Sequence, residues 1–129
     1  MDNQLVKLEH LEGVTIVILN RPDALNALST QLSNQISQTF DQLSRDEQTE
    51  VIILTGAGKS FSVGLDLKEL GGEKSKDESA TTKDLETALS EVNKPIIGAI
   101  NGFAITGGFE LALMCDFLIA SPKAKFADT

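Results

Sequence analysis

The chain has 129 residues, 41% of them hydrophobic, and its 19 acidic against 11 basic side chains give a net charge of −8. That balance weighs against nucleic acid or an anionic membrane as the main partner, since both reward a basic surface. A lone cysteine, Cys115, excludes an internal disulfide and fits a reducing compartment, and a single histidine leaves no Cys/His cluster for zinc.

A chain of this length fits one domain spanning residues 1–129 with a core of its own. Met1-Asp-Asn-Gln-Leu5 has the pattern of neither a signal peptide nor an Arg-rich transit peptide, and the apolar run before Glu110 is too short and glycine-rich for a bilayer span. The expectation is therefore a cytoplasmic protein with no membrane partner.

Leu5 to His10 alternates apolar and polar residues, which predicts a half-buried strand. Glu12-Gly13 makes a turn into a β-branched hairpin partner, Val14 to Leu19, which Asn20-Arg-Pro-Asp23 ends. Leu28, Leu32, Ile36, Phe40 and Leu43 recur at helical spacing behind Ser29, a candidate N-cap. Val51 to Thr55 predicts a second buried strand, followed by a glycine loop over 56–64 and a short helix from Asp66 to Leu70. Residues 71–80, with Gly71-Gly72 and mixed charges, read as a solvated loop. Leu85, Ala88, Leu89 and Val92 predict an amphipathic helix with Thr81 and Asp84 as a capping box, closed by Lys94-Pro95. Ile96 to Ile100 is a core strand, Gly107 to Cys115 a buried helix, Phe117 to Ala120 a further strand, and Lys125-Phe126 begins another. Strand and helix alternate, so the class is α/β.

The phosphate loop fails at Gly56-Ala-Gly-Lys-Ser60, because Ile53 stands where its first glycine belongs; the dinucleotide fingerprint fails because Phe61 stands where its third belongs. Neither Ser60 nor Ser62 sits in a Gly-x-Ser-x-Gly elbow. His10 reads as an exposed strand histidine.

Two glycine-rich strand-to-helix turns remain, Val63-Gly64-Leu65-Asp66 and Thr106-Gly107-Gly108-Phe109. Should they converge, the N–H groups of Leu65 and Gly107 would bind one oxygen between them and stabilise an enolate or oxyanion. Glu110 is the only charged side chain between Lys94 and Asp116, one helical turn beyond Gly107. A carboxylate buried in so apolar a stretch is either satisfied by neighbouring backbone or a cation, or has its pKa raised towards that of a useful general acid. The stretch alone leaves both readings open; the two turns beside it favour function.

These residues resemble the crotonase superfamily, the enoyl-CoA hydratase/isomerase group, through Leu19-Asn-Arg-Pro-Asp-Ala-Leu-Asn-Ala-Leu28, Val51-Ile-Ile-Leu-Thr-Gly-Ala-Gly58, Phe61-Ser-Val-Gly-Leu-Asp-Leu-Lys-Glu69 and the long block from Lys94 to Asp116. The resemblance implies a spiral of ββα units with two roughly perpendicular sheets, and an acyl-CoA thioester as substrate. It implies that Leu65 and Gly107 form the oxyanion hole, that Glu110 is the first of two catalytic acids, and that Ala24, Asn26, Leu65, Asp66, Leu67, Lys68 and Gly107 border CoA. Asp66 reads as a helix cap rather than an acid.

It further implies no metal or redox cofactor, and a homo-oligomer (trimer or hexamer) for the full-length form. Family members are about twice as long, so the chain reads as an amino-terminal half lacking the carboxy-terminal helices. The second acid would fall at the residue after Thr129, with Asp128 out of register. Three readings follow: hydration of 2-enoyl-CoA, double-bond migration with a single acid, or a non-catalytic acyl-CoA-binding module.

Overall fold

The computed structural model describes residues 4–66 and 78–128. Strands β1 (Val6–Leu11) and β2 (Val14–Leu19) form the expected hairpin, antiparallel with Leu11 opposite Val14. A single 3₁₀ turn, Pro22–Ala24, ends the strand, with Pro22 as its first residue. Helix α1 (Thr30–Ser44) starts where its cap predicts: the Ser29 hydroxyl oxygen accepts the Leu32 N–H at 3.1 Å. Strands β3 (Val51–Gly56) and β4 (Ser60–Ser62), helix α2 (Glu78–Ser90), strands β5 (Ile96–Ile100) and β6 (Phe103–Ile105), helix α3 (Gly107–Leu113), and strands β7 (Phe117–Ala120) and β8 (Lys125–Ala127) complete the order.

The strands sort into two sheets. The larger has the order β1-β2-β3-β5-β7 and is parallel beyond its first hairpin; the smaller, β4-β6-β8, is parallel throughout. Each pair β3/β4, β5/β6 and β7/β8 therefore gives one strand to each sheet. Two such pairs are followed by a helix, which is the repeating ββα course the resemblance implies. The core forms where Val17, Leu19, Ile52, Leu54, Ile96 and Ile100 of the large sheet meet Leu32, Ile36 and Phe40 of α1 and Leu85 and Leu89 of α2. Burial of these side chains, at about 25 cal/mol per Å² of apolar surface, is the main force holding the layers together.

Several expectations need correction. In β1 only Val6 is buried, and Leu11 is 62% exposed. It is an edge strand left largely exposed among the described residues, so its sequence alternation does not become burial alternation. Helix α2 begins at Glu78, which puts Thr81 and Asp84 inside the helix rather than in a capping box and shortens the expected loop. The helix propagates N-terminally through residues with no apolar periodicity to betray it. Strands β4 and β6 were not foreseen, since three residues are too few to show a period. The expected helix over 66–70 and most of the loop over 71–80 lie outside the described residues.

Candidate active site

The site is built from the loop after β4 and the turn before α3. Asn26, at φ 56° and wholly buried, folds the segment between β2 and α1: its side-chain amide donates to Ala57 O and Ser60 O at 3.0 and 2.9 Å, and its Oδ1 accepts the Arg21 N–H at 2.7 Å. The Ser62 hydroxyl donates to Asn26 O at 2.7 Å, and the Gly64 N–H donates back to that hydroxyl oxygen at 3.1 Å. Leu28 and Leu65 form a parallel bridge in which the Leu28 N–H donates to Gly64 O at 2.6 Å. A peptide unit is planar and trans, so a carbonyl held on one side aims the following N–H to the other. Leu28 thereby fixes the direction of the Leu65 amide.

The second turn comes against the first. Gly64 sits at φ 89°, and a Cβ there would lie 2.5 Å from Thr106 Oγ1 and 2.8 Å from Gly107 N. A Cβ on Gly107 would lie 3.7 Å from Leu65 N. Gly108 lets α3 press against β4, where a side chain would run into the Ser62 carbonyl. Thr106 caps the helix at φ 47° and ψ −110°, and its N–H donates to Ala127 O at 2.7 Å, tying the helix start to β8. Among the described residues neither the Leu65 nor the Gly107 amide N–H has an acceptor. The two turns expected to meet are in contact, with the Leu65 and Gly107 nitrogens near their junction.

Glu110 departs from expectation. It is exposed, although it lies one turn along α3 from Gly107. The buried face of α3 is Gly108, Leu111 and Ala112; Glu110 and Leu113, the latter 60% exposed, lie on the opposite face, which is exposed among the described residues. An apolar neighbourhood in sequence did not become an apolar enclosure in space. Glu110 instead lines a cavity of about 420 Å³ between α2 and α3, with Glu86, Ser90, Leu113 and Met114.

Of the other expected site residues, Ala24 lies partly buried in the 3₁₀ turn, and Leu67 and Lys68 lie outside the described residues. The Asn26 side chain is committed to three protein partners and holds the loop together. Asp66 is 8% exposed and its carboxylate pairs with the Arg21 guanidinium at 2.9 Å. Arg21 has no sequence signal for this pairing, since the Arg-Pro pair marks only the end of a strand. His10 is an exposed strand residue whose Nδ1 meets Thr15 Oγ1 at 3.0 Å. The described residues hold no cluster of three or more potential metal ligands, and no described helix is long and apolar enough to cross a membrane.

Two sheets fed by successive ββα turns, with two glycine turns in contact at Gly64 and Gly107, describe an α/β chain of the crotonase type. The chain belongs to the enoyl-CoA hydratase/isomerase family, whose profile matches residues 9–129. It is 44% identical over 117 residues to a probable peroxisomal enoyl-CoA hydratase 1 of Arabidopsis thaliana, covering 91% of this chain and 44% of that protein. The crystal structure of enoyl-CoA hydratase from Mycobacterium tuberculosis superposes with a TM-score of 0.80 at 45% identity, over 98% of this chain and 52% of that one. A monofunctional enoyl-CoA isomerase from M. smegmatis superposes with a TM-score of 0.81 at 34% identity, over 95% and 52%. The chain spans about half the length of the curated relatives it matches.

Proposed function

We propose that the chain acts on acyl-CoA thioesters as an enoyl-CoA hydratase-type enzyme, with Leu65 and Gly107 as its oxyanion hole. The observation that supports this reading is the contact between Gly64 and Gly107, which joins two turns whose Leu65 and Gly107 amides have no acceptor among the described residues. A thioester carbonyl oxygen seated between them becomes more negative as an enolate forms, and each donor strengthens as it does. Loss of one such donor typically costs ~3–4 kcal/mol of transition-state stabilisation.

Glu110 supplies the proton transfer. In hydration, water adds at C3 of a 2-enoyl-CoA, losing a proton to a carboxylate, and C2 gains a proton; a second acid shares this work. In double-bond migration, one carboxylate removes the C2 proton of a 3-enoyl-CoA and returns it at C4. The second reading has its own support, since Glu110 is the only carboxylate in α3 and an isomerase is among the superposed structures. The thioester provides the electron sink, so the proposed chemistry calls on no metal or redox cofactor.

A homo-oligomer, trimer or hexamer, and a cytoplasmic setting belong to the same proposal. The uncovered Leu113, Phe117 and Ile119 support further protein packing there. Relatives named as peroxisomal or mitochondrial widen the setting to any reducing compartment. The test assays crotonyl-CoA hydration and 3-butenoyl-CoA isomerisation separately, with butyryl-CoA binding measured alongside. Glu110→Gln should abolish whichever turnover the chain shows while sparing binding. Normal turnover in that variant would remove Glu110 from the chemistry, and binding without either reaction would favour a non-catalytic acyl-CoA-binding module.

A further inference from the structure

The Leu65 amide is useful only if its direction is held, and the structure shows what holds it. The Leu28–Leu65 bridge joins two short segments, 27–29 and 64–66. One guanidinium spans both of them: Arg21 Nη1 donates to Ala27 O at 3.1 Å, and Arg21 Nη2 pairs with Asp66 Oδ2 at 2.9 Å. Ala27 precedes Leu28 and Asp66 follows Leu65, so the two contacts flank the bridge on both of its strands. Arg21 itself is anchored, because its N–H donates to Asn26 Oδ1 at 2.7 Å and its carbonyl accepts the Asn26 N–H at 2.9 Å. The Asp66 side chain is 10% exposed and that of Arg21 27%, so the pair is largely withdrawn from water, where a charge-assisted contact resists both screening and fraying.

We propose that Arg21 is a positioning residue that, through Asp66 and Ala27, sets the direction of the Leu65 N–H; the inference rests on the amide-pair reading above. A planar guanidinium can hold two acceptors in a fixed relation, whereas an ammonium on a flexible stem cannot do so with the same geometry. A salt bridge that merely stabilised the loop would affect every ligand alike. A positioning role affects the thioester carbonyl.

The test uses the full chain and compares binding of butyryl-CoA with that of free CoA. It also records the carbonyl stretching frequency of bound butyryl-CoA labelled with ¹³C at the thioester carbon. The wild-type chain should favour the thioester and lower its carbonyl frequency. Failure of either would remove the amide pair, and the inference with it.

Given that wild-type behaviour, Arg21→Met should reduce the preference for butyryl-CoA over CoA by about tenfold, the equivalent of one lost hydrogen bond, and restore most of the free carbonyl frequency. Arg21→Lys should recover only part of both. The ratio cancels any general effect of the lost positive charge on CoA phosphates. Asp66→Asn, which keeps the shape of the site, should move both readouts in the same direction and serves if Arg21→Met does not fold. An unchanged ratio and frequency in a folded Arg21→Met or Asp66→Asn chain would overturn the positioning role and leave the amide pair standing.

Discussion

A methyl group on Gly64 would lie 2.8 Å from the backbone nitrogen of Gly107. These residues are distant in sequence, one after β4 and one opening α3, and their contact places the Leu65 and Gly107 amides together. Gly64→Ala should therefore separate the turns and remove the pair, with a fall of roughly 10²–10³-fold in any turnover of acyl-CoA. The left-handed φ of 89° adds a strain of about 1–3 kcal/mol for any side chain there. Urea denaturation measures the second effect and steady-state kinetics the first; wild-type kinetics in Gly64→Ala would mean that the close approach is not needed.

Thr106 holds φ 47° and ψ −110° at the start of α3, a region that suits glycine. The strain, about 1–3 kcal/mol, exceeds the ~0.4–1 kcal/mol that glycine costs through a freer unfolded chain. Thr106→Gly is thus expected to stabilise the protein by about 1 kcal/mol, seen as a higher Tm. A lower Tm would show that the hydroxyl contacts to Ile105 O and Val63 O outweigh the backbone strain.

Lys94 closes α1 from a distance. Its Nζ donates to Leu43 O, in the last turn of the helix, and to Asp46 O, just past its end, at 2.5 and 2.6 Å, placing a cation at the negative end of the helix. Lys94→Met keeps the stem and removes those donors. A loss of about 1–2 kcal/mol is expected by urea denaturation, and no loss would place the ammonium's net contribution near zero.

How much of this was legible in the sequence depends on the length of the signal. The hairpin, α1 with its Ser29 cap, β3 and β5 were readable because each repeats its pattern over five or more residues. The glycines of the two turns left their meeting a condition; it was implied by the resemblance to the crotonase superfamily. The environment of Glu110 was not: sequence shows that its neighbours are apolar, but only packing decides which face of α3 is covered. Nor could sequence show that Asn26 would be wholly buried, or that Arg21 would reach Asp66 across 45 positions, since both depend on how the loops cross.

Burial, and secondarily the Asp116 carboxylate beside it, pushes the Cys115 thiol up from 9.0 to about 12. The folded state holds this proton more tightly than the unfolded chain does. The group's contribution to stability is complete below the unfolded pKa and is lost as pH rises towards 12. Alkylation of native Cys115 at pH 8 should accordingly be far slower than in the urea-unfolded chain. Equal rates would mean that the thiol is open to solvent in the native state.

The central claim concerns two amides that act on one oxygen, and amide proton shifts report on them directly. In a ¹⁵N-labelled chain titrated with butyryl-CoA, the Leu65 and Gly107 N–H protons should both move downfield along the same saturation curve, and free CoA should leave them nearly in place. Saturable binding that moves neither resonance, or only one of them, would contradict it.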